Sequence, residues 1–279
     1  EAHVRVVPEF ASRRHLPSRL ARLREIDGRT AVQLKGAGSE FDSLRDYVIG
    51  DDVRTIDWRG TARRGEVVVR TYRPERDRRV LIALDTARLS AARVADAPRL
   101  DASIEGALLL AALASKAGDR VQATAFARRE RARAASSGPQ IMPALADALA
   151  TVEPSLLEPD WPALVRLVQS RVSQRSLVVL LTTVDTSAMD SGLIEAVAAL
   201  QQRHQVLVGS VEDPELGAMI ADREDADALY GAGAAARSLL EREAVAARLL
   251  GAEVVLALPD DLAPAVCDRY LALKASGRL

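Results

Sequence analysis

The run Val80–Asp85, VLIALD, is apolar throughout and ends in a carboxylate. So short and so apolar a segment reads as a strand buried on both faces, the signature of a parallel sheet covered by helices. LVVLLTT (177–183) is a second such run, and QVLVGSV (205–211) and EVVLAL (253–258) are two more. VQATAFA (121–127) alternates as a strand, and the charged stretch Arg128–Arg133 fits an edge strand or hairpin. Amphipathic segments lie between these runs. One spans about Asp101 to Ala117, with Ile104, Leu108 and Ala111 on one stripe and Gly118 as its stop. Others are expected at 141–151, 161–172, 192–203, 234–250 and 260–275. Such alternation predicts a doubly wound, mostly parallel α/β sheet. Function in such sheets gathers at the carboxyl ends of the strands. Here those ends are Asp85, TTVDTS (182–187) and EDPE (212–215).

The chain has 279 residues, 48% of them apolar and only 3% aromatic, so its core is built from Ala, Val and Leu. A formal net charge of −1 argues against a globally basic nucleic-acid binder. Cys267 is the only cysteine, which excludes an internal disulfide and fits a reducing, cytoplasmic setting. No apolar run approaches the roughly 18 residues of a membrane helix, and no signal peptide is evident. Because the sequence starts at Glu1 without Met, a preceding segment could supply a membrane anchor. Residues 1–35, with Pro8, Pro17 and scattered arginines, read as irregular.

Gly36 to Arg76 reads GAGSEFDSLRDYVIGDDVRTIDWRGTARRGEVVVRTYRPER. It resembles the signature of the bacterial family called "domain of unknown function 58". The matching positions are Gly36, Gly38, Glu40, Phe41, Leu44, Arg45, Tyr47, Gly50, Asp51, Asp52, Arg54, Ile56, Asp57, Trp58, Ala62 and Arg63. The resemblance implies a signature extension over 1–78 and a von Willebrand factor A-like, Rossmann-type domain over 79–279. It also implies a non-enzymatic adaptor or accessory of a MoxR-type AAA+ ATPase, acting in protein assembly or maturation. The client protein stays open, and any membrane attachment would run through a segment outside this chain.

Read from the residues alone, Ser39 and Asp42 form a candidate capping box for a helix. Phe41, Leu44 and Val48 would make its apolar stripe, Gly50 its stop, and EVVVRTY (66–72) a strand. Asp51, Asp52 and Asp57 are expected to pair with Arg45, Arg54 and Arg63, bracing the extension. The signature residues Glu40, Phe41, Arg45, Tyr47, Gly50, Asp51, Asp52, Arg54, Asp57, Trp58 and Arg63 are the partner-binding candidates. Two other readings stand beside this one. The Asp cluster or Asp85 could hold a divalent ion through oxygens, for binding or hydrolysis, although neighbouring arginines oppose it. The stretch Arg54–Arg79, with nine arginines against four acids, could grip phosphates. Only Trp58 and Tyr72 offer stacking there, so a charged strand edge is the simpler account and no nucleic-acid partner is expected.

Von Willebrand A-type domains often bind a divalent ion through Asp-x-Ser-x-Ser, a distant Thr and a distant Asp. Here the motif reads Asp85, Thr86, Ala87, Arg88, Leu89, with Ala87 and Leu89 in the serine positions and a positive charge between them. Thr183 stands at the later aspartate position, and Asp185 lies two residues on. The expectation is a degenerate site with no metal and no cofactor. No catalytic residues are assigned. GAGAAA (231–236) lacks the preceding strand a dinucleotide loop needs. Cys267 reads as a core residue and His204 as a helix-end cap.

Overall fold

The computed structural model describes residues 7–33, 40–73, 78–136 and 138–279. The first described segment is helical, against the irregular chain expected there. A 3-10 turn, Ala11–His15, runs into α1 (Leu16–Gln33). Pro17 falls in the first turn of α1, where its missing N–H leaves no intrahelical bond unmade. Arg19 and Arg22, one helical turn apart, both reach Asp268, at 2.8 and 2.7 Å. Contacts within the chain group the residues through Arg22 with 78–279, and Leu23–Asp77 among themselves. The stretch before Leu23, read from sequence as part of the 1–78 extension, therefore groups with the larger unit.

In the smaller unit, β1 (Glu40–Asp46) is followed by a 3-10 turn (Val53–Thr55), α2 (Trp58–Arg64) and β2 (Val68–Arg73). β1 and β2 pair antiparallel, with a bulge between Phe41 and Ser43. The expected helix after the Ser39–Asp42 capping box is thus a strand, and Ser39 itself lies outside the described residues. An i, i+3 apolar pair in so short a segment fits either period. The valine-rich β2 settles it by pairing the β1 backbone, a contact invisible to local pattern. The Tyr47 N–H continues that pairing to the Val67 carbonyl at 2.9 Å. Gly50 ends no helix; its φ of +109° closes the turn after β1.

In the larger unit, β3 (Arg79–Asp85) leads through the two-residue strands β4 (Arg93–Val94) and β5 (Ala97–Pro98) into α3 (Arg99–Lys116). β6 (Arg120–Phe126), β7 (Glu130–Ser136), α4 (Ile141–Leu149) and α5 (Trp161–Arg171) follow. Then come β8 (Leu177–Leu181), α6 (Thr186–Asp190), α7 (Leu193–Gln201) and β9 (Gln205–Val211). α8 (Pro214–Ala221), α9 (Ala226–Arg248), β10 (Glu253–Ala257) and α10 (Pro259–Ala275) complete the chain.

Six strands form the central sheet in the order β10-β9-β8-β3-β6-β7. Every neighbouring pair is parallel except β6 and β7. β7 is the expected charged edge hairpin. Because β3 has the later β8 on one side and β6 on the other, the winding reverses between β3 and β8. β8 and β9 are buried along their whole lengths, as their unbroken apolar runs require. α10 is tied to the turn before β6 by Tyr270 and Lys274, which both reach the buried Asp119. The helix expected at 234–250 begins earlier, at Ala226, and encloses Gly231 and Gly233. GAGAAA is therefore helix interior and not a phosphate loop.

Candidate functional site

The carboxyl ends of β3 and β8, where the winding reverses, bring Asp85 and Thr182 together. Thr182 Oγ1 donates to Asp85 Oδ2 at 2.7 Å, and the Ala87 N–H donates to Oδ1 at 2.8 Å. Both carboxylate oxygens are thus engaged by the protein. Burial pushes the Asp85 carboxyl above its ordinary range; the two hydrogen bonds oppose that shift and the nearby Glu158 charge adds to it. Arg88 is held by Glu158 at 2.6 Å, and its N–H bonds the Leu157 carbonyl. The Ser155 N–H reaches back to the Thr86 carbonyl at 2.6 Å, so residues 155–158 lie against the loop after β3.

The divalent-ion position implied by the sequence resemblance is not supported by these side chains. Ala87 and Leu89 offer no oxygen ligand, and Leu89 packs against the apolar core. Thr183 is buried beside Thr182. Asp185 serves as the N-cap of α6, accepting the Ala188 N–H at 2.8 Å. Among the described residues no three His, Cys, Asp or Glu side chains gather as a metal-holding group.

In the smaller unit the signature residues form an ordered set of braces. Arg45 grips Asp51 through both terminal nitrogens, Nη2 to Oδ1 at 2.6 Å and Nη1 to Oδ2 at 2.7 Å. Donating to the Asp51 carboxylate raises the Arg45 guanidinium's already high pKa further. The same carboxylate accepts the Val48 N–H at 2.9 Å, which fixes the turn carrying Gly50. Asp52 caps the following 3-10 turn by accepting the Arg54 N–H at 2.9 Å; the Arg54 side chain is exposed. Asp57 caps α2, accepting the Gly60 N–H at 2.8 Å, and takes a second bond from Arg70 Nε at 2.8 Å. The Gly60 bond, followed by Arg70, holds the Asp57 carboxyl below the usual carboxylate range.

Asp51 therefore meets Arg45 as expected, Asp52 meets a backbone amide, and Asp57 meets Arg70 where Arg63 was expected. Arg63 lies exposed in the last turn of α2. Glu40 and Phe41 open β1, and Tyr47 follows its end half-buried. Trp58, the first residue of α2, is 69% exposed. Val48, Ile49 and Val53 are exposed as well, so the large apolar side chains of this stretch are mostly turned outward.

The remaining candidates are internal. Cys267 is fully buried and burial pushes its thiol well up, the opposite of an activated nucleophile. His204 is buried just before β9, where burial lowers its pKa. Neither ring nitrogen has a hydrogen-bond partner among the described residues, so it makes no side-chain cap.

These features define a mixed α/β protein: a six-stranded, mostly parallel sheet flanked by helices, joined to a small strand–helix–strand unit held by Asp–Arg pairs. A family described as "Protein of unknown function DUF58" matches residues 43–223, more than half of the chain, and the chain belongs to that family. Among solved structures, the conserved hypothetical protein BatB from Bacteroides thetaiotaomicron is similar at 16% identity and a TM-score of 0.45. That match covers 72% of this chain and 99% of that one. An aerotolerance-related membrane protein from Bacteroides fragilis NCTC 9343, carrying multiple mutations to serines, is similar at 14% identity and a TM-score of 0.43. It covers the same shares, 72% and 99%. No curated protein sequence matches the chain. None of the described helices is long and apolar enough to cross a membrane.

Proposed function

We propose that this chain is a non-enzymatic docking module. In this reading the larger unit is a von Willebrand factor A-like domain without its metal, and the family signature presents a surface to a partner. One observation carries the reading: the charged signature residues brace their own backbone, while Trp58 stands 69% exposed beside them in the sequence. A large aromatic side chain left in water on a braced scaffold is the usual anchor of a protein interface. Exposed arginines at positions 54, 59, 63 and 64 share this segment and favour an acidic partner surface. The partner proposed is an AAA+ ATPase of the MoxR type, by the family resemblance, with the module working on the cytoplasmic side.

Affinity co-purification of the chain from its native host tests this. The expected result is recovery of such an ATPase by the intact chain and its loss with Trp58→Ser. Recovery of no AAA+ ATPase by a correctly folded chain, or equal recovery with Trp58→Ser, overturns the reading.

A further inference from the structure

The segment after β9 carries a charge that its own fold leaves unanswered. Residues 212–230, EDPELGAMIADREDADALY, hold seven acidic side chains against the single Arg223. Three of the acids act locally: Asp213, Asp222 and Asp225 accept the N–H groups of Glu215, Glu224 and Ala228 at 3.0, 3.1 and 2.8 Å. Such bonds satisfy amides and cancel no charge. Glu215 and Asp227 sit in the first turns of α8 and α9, where the helix dipole favours an acid. A dipole worth about half a charge still leaves most of this field unbalanced. Among the described residues, none of the seven carboxylates forms an ion pair.

The same segment leaves apolar side chains in water. α8 packs on α9 as a hairpin, yet none of the residues of α8 is buried. Met219 crosses α9 at Gly231, where a Cβ would stand 3.4 Å from its Cε. On α9, Ala232 and Ala235 are buried, while Leu229, Tyr230, Gly233, Ala234, Arg237 and Leu240 are exposed. Their helical spacing puts these six on one outward face. Tyr230 is 82% exposed, and nothing lies within 4 Å of a Cβ placed on Gly233, so Leu229 and Tyr230 border a shallow notch. Arg237 is paired with Glu241 at 2.9 Å and adds no free positive charge to this face.

Exposed aromatic and aliphatic side chains on one helix face, bordered by unbalanced charge of one sign, mark a surface that a partner covers. The sign of the charge selects the partner. An acidic hairpin repels nucleic acid and anionic lipid. Among the described residues no three acids gather as a metal-holding group, so the field is spread along the hairpin. It suits an extended polycation better than a single metal ion.

We propose that the α8–α9 hairpin is the docking surface for a basic amphipathic segment of a protein partner. That segment carries Lys or Arg along one side and aliphatic side chains along the other. Its aliphatic side covers Leu229 and Tyr230 and enters the notch at Gly233. Its cations lie against Glu215, Glu224 and Asp227, whose carboxylates have no partner among the described residues. This docking is independent of the signature, whose exposed arginines call for a partner of the opposite charge.

Amide nitrogen-15 spectra of the whole chain test the proposal, with a synthetic peptide of lysine and leucine at helical spacing as the probe. Two reference peptides replace its lysines by glutamate or its leucines by serine. The expected result is saturable shifts gathered on α8 and the first half of α9, with both reference peptides binding roughly tenfold more weakly or worse. Leu229→Ser with Tyr230→Ser should weaken binding by about tenfold or more. Glu224→Gln with Asp227→Asn should weaken it too and flatten its dependence on salt. Shifts that gather elsewhere or do not occur overturn the proposal. So does equal binding of either reference peptide, or an unchanged affinity in either folded double variant. Hairpin amides that broaden with protein concentration in the absence of peptide make a second copy the occupant, which overturns it as well.

Discussion

Lys274 Nζ lies 3.2 Å from Asp119 Oδ1, and both side chains are 1% exposed. Tyr270 donates to the other carboxylate oxygen at 2.5 Å, so one buried acid ties two turns of α10 to the entry of β6. Lys274→Met leaves a buried carboxylate without its cation and should destabilise the larger unit by about 3–5 kcal/mol. Replacing both members, Lys274→Met with Asp119→Leu, should restore much of that loss. Urea unfolding of the three variants at neutral pH is the measurement, with Asp119→Leu completing the cycle.

The Asp57 carboxyl gives the smaller unit a stability that depends on acid. Its folded pKa lies below its unfolded one, so its contribution is complete above the ordinary carboxylate range. That contribution is lost as pH falls through the folded value. Hydrogen exchange at the Gly60 amide, which Asp57 accepts, should therefore quicken relative to the intrinsic rate in acid. Asp57→Asn keeps a good N-cap but has no proton to gain, and should flatten that dependence.

Asp85 behaves in the opposite sense. Burial raises its folded pKa, so the stability it lends is present at low pH and is lost as pH rises through that raised value. Asp85→Asn should remove this slope with little loss of stability at neutral pH. Asp85→Ala strands the Thr182 hydroxyl and the Ala87 N–H and should cost about 1–3 kcal/mol. Denaturant midpoints at several pH values separate the three chains.

Gly60 reverses a common rule. Exchanging a helical glycine for alanine usually gains up to about 1 kcal/mol. Here the added methyl would meet Val68 Cγ2 at 2.9 Å and Leu44 Cδ1 at 3.0 Å, where α2 packs on its two strands. Gly60→Ala should destabilise the smaller unit by about 1–3 kcal/mol, read from amide exchange in β1 and β2.

Trp58→Ser should separate binding from folding. A side chain so exposed contributes little to the fold, and the stability change should stay within about 0.5 kcal/mol. A thermal melt of the purified variant checks that its lost capture of a partner is not a folding defect.

Much of the sheet was legible because VLIALD and LVVLLTT carry their burial in their composition. The signature strand was not. EFDSLRD is short and its apolar spacing suits a helix, and only the distant β2 decides the matter. α8 was missed because its signal is a cap, Asp213 ahead of Pro214, and not a periodic stripe. Within the signature, composition announced Asp–Arg pairing but could not choose partners. Arg70 is 13 residues from Asp57, and the strand turns it back towards the helix start.

The position of β3 at the centre of the sheet also sets an order in time. Thr182, which closes the bond to Asp85, is made 97 residues later. At roughly 5–20 residues per second, translation leaves this central strand without its β8 neighbour for about 5–20 s. The β1–β2 pair, by contrast, closes between segments only a short way apart in the chain. During synthesis the signature can thus be complete while the sheet that follows it in the chain is still half made, and a partner that recognises the signature has a target before the protein is finished.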